Sequence, residues 1–459
     1  MNGWDRSKII PMNHSFQKPL PKNEQRQLLR GWLYLALASL IIPGITAILL
    51  VLLRTISVDA AVGWGDLFRS ALVIHVDLSV FIWFLSIGGL LWTLSDGHSR
   101  LPQKRAAFWV VVAGSSLLSI SPLFGANNPI LNNYIPVLNQ PLFFIGLILV
   151  WIGLLFTALL HLFSARQLNW GADAAAIATL LAIATLVTSW IALAETPLGL
   201  HYFERLFWGA GHILQFTYTL LLLTGWKILS DRLHLLPWLS SRAMKGLVLI
   251  GALPLLSVPW LYLNYPPLAP EITVGFAQLM RYGNGVAPGI MGLLLLIGSI
   301  QHFNNHRGDP TAPPIQASLY ASLLLFAAGG ILALFISGIN TIIPAHYHGS
   351  IVGITLAFMG LIYRLLPHLG FSSPQGRLAT LQPYIYALGQ LMHIAGLALT
   401  GSEGAQRKTA GVSSEAMNSL VEQVGLFLTR SGGLIAVTGG VLFLLVCWRS
   451  IRTPPEKLL

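Results

Sequence analysis

The chain has 459 residues, of which 54% are hydrophobic and 9% are charged, and its mean hydropathy is +0.69. Soluble domains carry roughly 25% charged residues, so the composition excludes a water-soluble globular protein. Its one cysteine, Cys447, excludes a disulfide framework, a thiolate metal cluster and the CxxCH attachment of c-type haem. The sequence therefore predicts a polytopic membrane protein.

Twelve apolar runs are long enough to cross a bilayer, which takes about 20 residues for a helix. They lie near 31–53, 71–94, 105–124, 141–163, 172–194, 204–229, 245–265, 273–300, 317–339, 341–366, 381–400 and 431–450. The first thirty residues carry no cleavable signal pattern, so the first run is expected to remain as an anchor. The predicted fold is all-α, a bundle of about twelve transmembrane helices. Segment 1–30 precedes the membrane domain 31–450, and 451–459 form a tail.

The basic residues follow the positive-inside rule. Of the 27 Lys and Arg, 20 lie in or beside the termini and the loops near 95–105, 164–171, 230–245, 301–316 and 367–380. Six lie on the other side: Arg54, Arg69, Arg205, Arg407, Lys408 and Arg430. Both termini are therefore predicted to be cytoplasmic, in the inner membrane of a bacterium or archaeon. Topology explains the net charge of +11, so lipid is expected around the chain and no nucleic-acid partner.

Five histidines are predicted to share one layer near the outer surface. They are His75 in helix 2, His212 in helix 6, His346 and His348 in helix 10, and His393 in helix 11. Ionisable groups inside a membrane usually mark function, whereas an interhelical hydrogen bond is worth only about 0.6 kcal/mol. Five at one depth favour a cofactor site. The other histidines, His161 among them, fall at helix ends or in loops and are interpreted as ordinary.

His346-Tyr347-His348 is the most informative element. Each residue turns a helix by about 100°, so these two imidazoles point about 200° apart and serve two sites rather than one metal. Neutral imidazole is a common axial ligand of haem iron. The spacing predicts one helix flanked by two haems, which are bound non-covalently because no covalent attachment motif is present, and b-type haems are expected.

Four segments resemble the catalytic subunit I of haem-copper oxidases and nitric oxide reductases. AHYHGSIVGITLAFMGLIYRLLP (345–367) resembles helix ten, which implies that His346 ligates a high-spin haem and His348 a low-spin haem. SALVIHVDLSVFIWFLSIGGLLW (70–92) resembles helix two, which implies that His75 is the other low-spin ligand. ERLFWGAGHILQF (204–216) resembles helix six and implies that His212 is a ligand of the non-haem metal.

The fourth segment, QLMHIAGLALTGSEGAQRK (390–408), resembles the end of helix eleven and the basic pair beyond it. The resemblance implies that Arg407 and Lys408 bind haem propionates. Arg281, which lies inside a helix, has two open interpretations: it extends to the outer surface, or it is a counter-charge for propionates or a ligand.

The chain departs from that family at the second metal. The family has two adjacent metal-binding histidines in helix seven, whereas GLVLIGALPLLSVPWLYL (246–263) has none. Phe216 and its surroundings offer no secure counterpart of the oxidases' linked tyrosine. One imidazole in an apolar wall holds a metal poorly, so no stably bound copper or non-haem iron is expected. The inner halves of the helices look nearly uncharged, which argues against proton pumping.

The leading hypothesis is a di-haem oxidoreductase of a respiratory chain, with electron transfer from the low-spin to the high-spin haem and His346 and His212 at the reacting centre. Its electrons would come from quinol or from a cytochrome c or cupredoxin type of protein, and companion oxidase subunits are possible partners. The alternative is a non-catalytic haem protein that binds or senses O2 or NO, or serves as a partner subunit. A secondary transporter is a third class, but no inverted repeat favours it.

Overall fold

The computed structural model describes residues 23–53, 64–96, 99–125, 128–164, 169–301, 309–408 and 419–453. Within these residues the chain forms twelve long helical segments. In chain order they are α1 Asn23–Leu53, α2 Gly65–Ser95, α3 Leu101–Ile120, α4 Pro141–Leu162, α5 Trp170–Ala192, α6 Leu200–Arg232, α7 Ser241–Asn264, α8 Pro270–Gln301, α9 Ala312–Ala333, α10 Ile342–Leu365, α11 Gly376–Ser402 and α12 Leu420–Arg452. Two short strands, β1 Pro129–Ile130 and β2 Val137–Leu138, pair antiparallel between α3 and α4.

Eleven of these segments are long and apolar enough to cross a membrane, and α11 is a further helix of 27 residues. The most deeply enclosed are α2, α6 and α10, whose most apolar stretches are 72%, 89% and 78% buried. The chain is an integral membrane protein. The predicted all-α bundle of about twelve helices is confirmed, and three buried helices form its centre.

Some helix ends differ from the ends of the predicted apolar runs. They do so where polar residues form hydrogen bonds with other parts of the chain. α1 begins at Asn23, eight residues before its apolar run, and the Gln25 amide donates to the carbonyls of Thr93 and Asp96 at 2.9 Å. The apolar runs predicted for helices 9 and 10 are only one residue apart, and in the structure a break over 334–341 separates the two helices. Gly338 takes a left-handed φ of 89° there, and Asn340 Oδ1 accepts the Ile342 N–H at 3.0 Å. Most of the predicted segment 1–30 and tail 451–459 lies outside the described residues.

Several of the spanning segments are irregular. In α2 a π-helical turn covers Asp77–Ile82, two residues beyond His75. α7 narrows to a 3-10 turn at Leu253–Leu256, where Pro254 lacks a backbone N–H. α8 is interrupted between Gly283 and Val286. Turns of this π type occur frequently at functional sites, and this one lies two residues beyond His75.

Candidate functional site

The histidines of the buried helices lie at similar depth. Three aromatic rings, with centroids 4.8 and 5.4 Å apart, mark one level: Phe84 of α2, Tyr218 of α6 and Phe358 of α10. His75 precedes its aromatic residue by nine positions, His212 by six and His348 by ten. At about 1.5 Å per residue, the three histidines lie roughly 9 to 15 Å from that level along their helices. They therefore share a layer roughly 6 Å deep.

His346 faces α9. Its Nδ1–H donates to the carbonyl of Gly329 at 2.8 Å. This contact needs close helices, because a Cβ at Gly329 would lie 2.3 Å from the backbone nitrogen of Ser350. The imidazole is half-buried, and the bond to Nδ1 leaves the lone pair on Nε2.

His348 faces the other side of α10, toward α11. Its ring centroid lies 5.0 Å from that of His393, edge to face. The Nδ1–H of His393 in turn donates to the carbonyl of Thr429 in α12 at 2.8 Å. The two imidazoles of the His-Tyr-His element thus contact different helices.

His75 is oriented by α1. Its Nδ1–H donates to the carbonyl of Pro43 at 3.0 Å, and its ring is half-buried although α2 is a central helix. Space therefore remains beside the ring. Asp77, two residues on, is 1% exposed, and within the described residues neither carboxylate oxygen has a hydrogen-bond partner.

These side chains fit the ligand chemistry of haem iron. A metal-binding histidine almost always donates its other ring N–H to a carbonyl, carboxylate or water, and two of the predicted ligands, His75 and His346, do so, as does the neighbouring His393. The amide oxygen of Gln390, one turn before His393, is buried and has no partner among the described residues, as with Asp77. Buried polar atoms without a partner also occur elsewhere among the described residues, for example at Ser115 and Ser299; Asp77 and Gln390 are the ones within three residues of these histidines, where a bound group could pair them.

His212 is arranged differently, because both of its ring nitrogens have partners. Nδ1–H donates to the Trp208 carbonyl at 2.6 Å, and Nε2 lies 2.8 Å from the hydroxyl of Tyr134. Burial raises the pKa of Tyr134, and the charge of Glu204 raises it further. The hydroxyl therefore keeps its proton and donates it to Nε2. The lone pair that a second metal would need is engaged in this hydrogen bond.

Tyr134 was missed by sequence reasoning because it lies in a loop, at the tip between β1 and β2. Asn132 shapes that tip by accepting the backbone N–H of Tyr134 at 3.2 Å and that of Ile135 at 3.1 Å. The ring rests on Gly211, where a Cβ would lie 2.2 Å from its Cγ. A glycine directly before His212 is the one sequence signal that something packs there.

The residues present do not fit a second metal. Among the described residues, no group of three His, Cys, Asp or Glu side chains could hold a metal ion. Of the nearby tyrosines, Tyr218 packs against Phe84, and Tyr262 packs against Phe276, whose ring centroid also lies 5.8 Å from that of His212. No chemical step through copper or non-haem iron follows from this arrangement.

Arg407 and Lys408, the residues predicted to bind propionates, form hydrogen bonds with the loop that carries Tyr134. Lys408 Nζ donates to the carbonyls of Leu131 at 2.6 Å and Asn132 at 3.1 Å. Arg407 donates to Asn133 Oδ1 at 2.7 Å, and Asn133 Nδ2 donates to Glu204 at 2.8 Å. Two basic groups and one carboxylate therefore fix the loop that carries Tyr134 to His212.

Lys408 should react as an unusually weak base. Burial, together with the charge of the adjacent Arg407, lowers its pKa to about 8 against the opposing charge of Glu204. An ordinary lysine titrates near about 10.4. We expect its labelling by an amine-reactive reagent to rise with a midpoint near pH 8, measured by peptide mass spectrometry. A Lys408 midpoint near that of an ordinary lysine would contradict the burial.

Arg281 lies on the outside of the bundle. Its side chain is exposed, and its guanidinium lies 5.6 Å from the ring centroid of Tyr282, which is 68% exposed. Of its two open interpretations, this position favours extension to the surface over a counter-charge beside the histidine layer.

A buried ionic cluster, which sequence reasoning missed, lies at the opposite ends of the helices. His161 in α4 bridges Asp96 at 2.8 Å from Nδ1 and Asp173 at 2.9 Å from Nε2. Lys104 of α3 lies 2.8 Å from the other oxygen of Asp96, and all four side chains are at most 10% exposed. This corrects two expectations: His161 is not an ordinary helix-end histidine, and the inner half of the bundle is not nearly uncharged.

No family model matches the chain. The uncharacterized protein RP382 of Rickettsia prowazekii (strain Madrid E) is 30% identical, over 94% of this chain and 97% of that protein. An uncharacterized protein of Aquifex aeolicus (strain VF5) is 27% identical, over 77% and 88%. The cryo-EM structure of a heme-copper terminal oxidase dimer matches with a TM-score of 0.71 at 16% identity, over 95% of this chain and 85% of that one. This likeness is one of fold.

Proposed function

Since the chain belongs to the family of the Rickettsia prowazekii protein RP382 and has the fold of a haem-copper terminal oxidase, we propose that it is a membrane di-haem oxidoreductase. In this proposal His75 and His348 hold a low-spin haem, and His346 holds a high-spin haem. Both haems are b-type, and electrons arrive from quinol or from a soluble electron-carrier protein.

One observation carries the proposal, namely the opposite orientation of His346 and His348. The first ring bonds to α9 and the second contacts His393 of α11, so each imidazole borders a different interhelical space. Two haems bound by this one helix would then be offset by about two residues along its axis, which keeps them close enough for electron exchange. Haem, when bound, supplies one-electron carriage and an iron position open to a diatomic gas.

The chain's own residues orient the ligands and limit access. Carbonyls of Pro43 and Gly329 hold the rings of His75 and His346 in one tautomer, which leaves Nε2 unprotonated. The Tyr134 hydroxyl donates its proton to Nε2 of His212, so this nitrogen accepts a hydrogen bond instead of binding a metal. Arg407 and Lys408 keep that loop in position, and we propose that propionates, where they reach this level, share the same two cations.

The engagement of His212 favours a second candidate function. Oxygen or nitric oxide reduction in the haem-copper manner relies on a second metal, and this chain offers one imidazole already hydrogen-bonded to Tyr134. A haem protein that binds or senses O2 or NO, or that serves as a partner subunit, requires no second metal. Stopped-flow consumption of O2 and NO separates the two, because only the oxidoreductase turns over.

The haem content and the His346→Ala variant test the leading proposal. The purified protein should contain two haems, by pyridine haemochrome assay, and bind one carbon monoxide with a shifted Soret band. His346→Ala should lose the carbon monoxide-binding haem and keep the low-spin spectrum, since His348 faces away from that site. A protein without haem, or an alanine variant that still binds carbon monoxide in full, would reject the assignment.

Metal analysis tests the second site. We expect less than one copper or non-haem iron per chain even after metal loading, because His212 is a single imidazole with both nitrogens hydrogen-bonded. His212→Ala should leave the metal content unchanged. One copper or iron per chain that disappears in His212→Ala would restore a complete terminal-oxidase site.

A further inference from the structure

A polar cavity lies at the end of the bundle opposite the histidine layer, where α6 and α10 end and α9 begins. Its volume is about 190 Å³, room for roughly six water molecules at 30 Å³ each. Two guanidinium groups, those of Arg232 and Arg364, line it together with Thr311 and Ser373. The cavity is therefore basic, rich in hydroxyl groups and large enough for a small anion.

One of its two arginines is already neutralised. Arg232 donates to Asp309 and, at 2.5 Å, to the hydroxyl of Thr311. Partial burial alone would raise the pKa of the Asp309 carboxyl, but hydrogen bonds from Arg232 and Thr311 lower it to about 2. Asp309 is thus ionised at neutral pH, and it balances Arg232.

The other arginine has no balancing charge. In the described part of the chain, Arg364 makes no hydrogen bond or ion pair, and the charge that acts on it is that of Arg232. Two cations and one carboxylate leave the cavity with a net positive charge. Like charges at short range repel, whereas an anion between them would turn the repulsion into two attractions.

The chemistry of the lining points to phosphate. A guanidinium group presents paired N–H donors that match two oxygens of a phosphate, and a hydroxyl supplies a further donor. The cavity also lies at the end that the positive-inside rule predicts to be cytoplasmic, where anionic headgroups line the membrane surface. We propose that this cavity is a binding site for a phosphate group, with Arg364 as its principal ligand.

The shared chemistry has two sources, a lipid headgroup and free phosphate, and two experiments distinguish them. In the first, the full chain in phosphatidylcholine nanodiscs, with or without phosphatidylglycerol, is analysed by native mass spectrometry for retained anionic lipid. In the second, the chain in uncharged detergent is titrated with inorganic phosphate and its thermal stability is followed. Both are repeated with Arg364→Gln and with Arg377→Gln, an equal charge change on an exposed residue at the start of α11.

We expect one retained phosphatidylglycerol per chain, lost or bound about tenfold more weakly in Arg364→Gln and unchanged in Arg377→Gln. Stabilisation by inorganic phosphate as well would mean that the phosphate group suffices, and retention of lipid alone would identify the headgroup as the ligand. Arg364→Lys keeps the charge but not the paired donors, so it should bind with intermediate strength. Equal binding by wild type and Arg364→Gln, or no binding in either experiment, would overturn the proposal, whatever the haem content.

Discussion

His75→Ala and His348→Ala should each abolish the low-spin haem spectrum while the protein remains inserted in the membrane. The two residues lie at similar depth on two central helices, and each has space beside its half-buried ring. If these two residues hold the haem, removing either would leave it with a single protein ligand, and a high-spin spectrum would be expected. The reduced-minus-oxidised α-band of purified membranes would measure the change.

His393→Ala is the matched control for those two variants. Its ring lies 5.0 Å from that of His348, so it is the neighbouring imidazole that could substitute as a ligand. In the proposal His393 does not bind iron; it is hydrogen-bonded to Thr429 of α12 and packs beside His348. Its loss should therefore weaken haem retention at most about tenfold. Loss of the α-band in His393→Ala with retention in His348→Ala would exchange their roles.

The fold could be predicted from the sequence because each membrane-spanning segment is recognisable from its own apolar residues. A run of about 20 apolar residues has one stable outcome in a bilayer, so the twelve segments could be located before their contacts were known. Their ends could not, since these depend on distant partners. The extension of α1 to Asn23, for example, is accompanied by bonds from Gln25 to carbonyls at the end of α2.

The site could be predicted from the sequence only where a residue type is unusual for its surroundings. Histidines inside apolar helices are conspicuous, and the two-residue spacing of His346 and His348 predicts different neighbours without any tertiary information. Tyr134 gives no such signal, because a tyrosine in a loop is common and only the fold brings it to His212. The charge of Arg407 and Lys408 was noticed, but the carbonyls of Leu131 and Asn132 that meet Lys408 are distant in sequence.

The inner cluster was missed for a related reason. Asp96, Lys104, His161 and Asp173 each lie near a helix end, where polar residues are ordinary in a membrane protein. Their joint burial is visible only when four helices are assembled. A usable signal is the scarcity of acidic residues: two of only 16 carboxylates fall at neighbouring helix ends on one side of the membrane, together with a histidine.

His161→Gln should cost about 3–5 kcal/mol in the free energy of unfolding, the usual effect of removing one partner from a buried ion pair. Both ring nitrogens of His161 lie within hydrogen-bond distance of carboxylates, and a neutral imidazole has one N–H to donate. An imidazolium satisfies both. It also balances the cluster, because two carboxylates then face one ammonium and one imidazolium.

This charge balance gives a rescue experiment. His161→Gln leaves one buried carboxylate uncompensated, so adding Asp173→Asn should recover a substantial part of the lost stability. Asp173→Asn alone separates the two protonation states: beside an imidazolium it leaves one excess positive charge and should destabilise the protein, whereas beside a neutral His161 it leaves Lys104 balanced by Asp96. The control is Asp231→Asn in the more exposed Lys227–Asp231 pair, where the expected loss is at most about 1 kcal/mol. Denaturation midpoints of all these proteins in one detergent would decide, and an Asp173→Asn variant as stable as the wild type would refute the imidazolium.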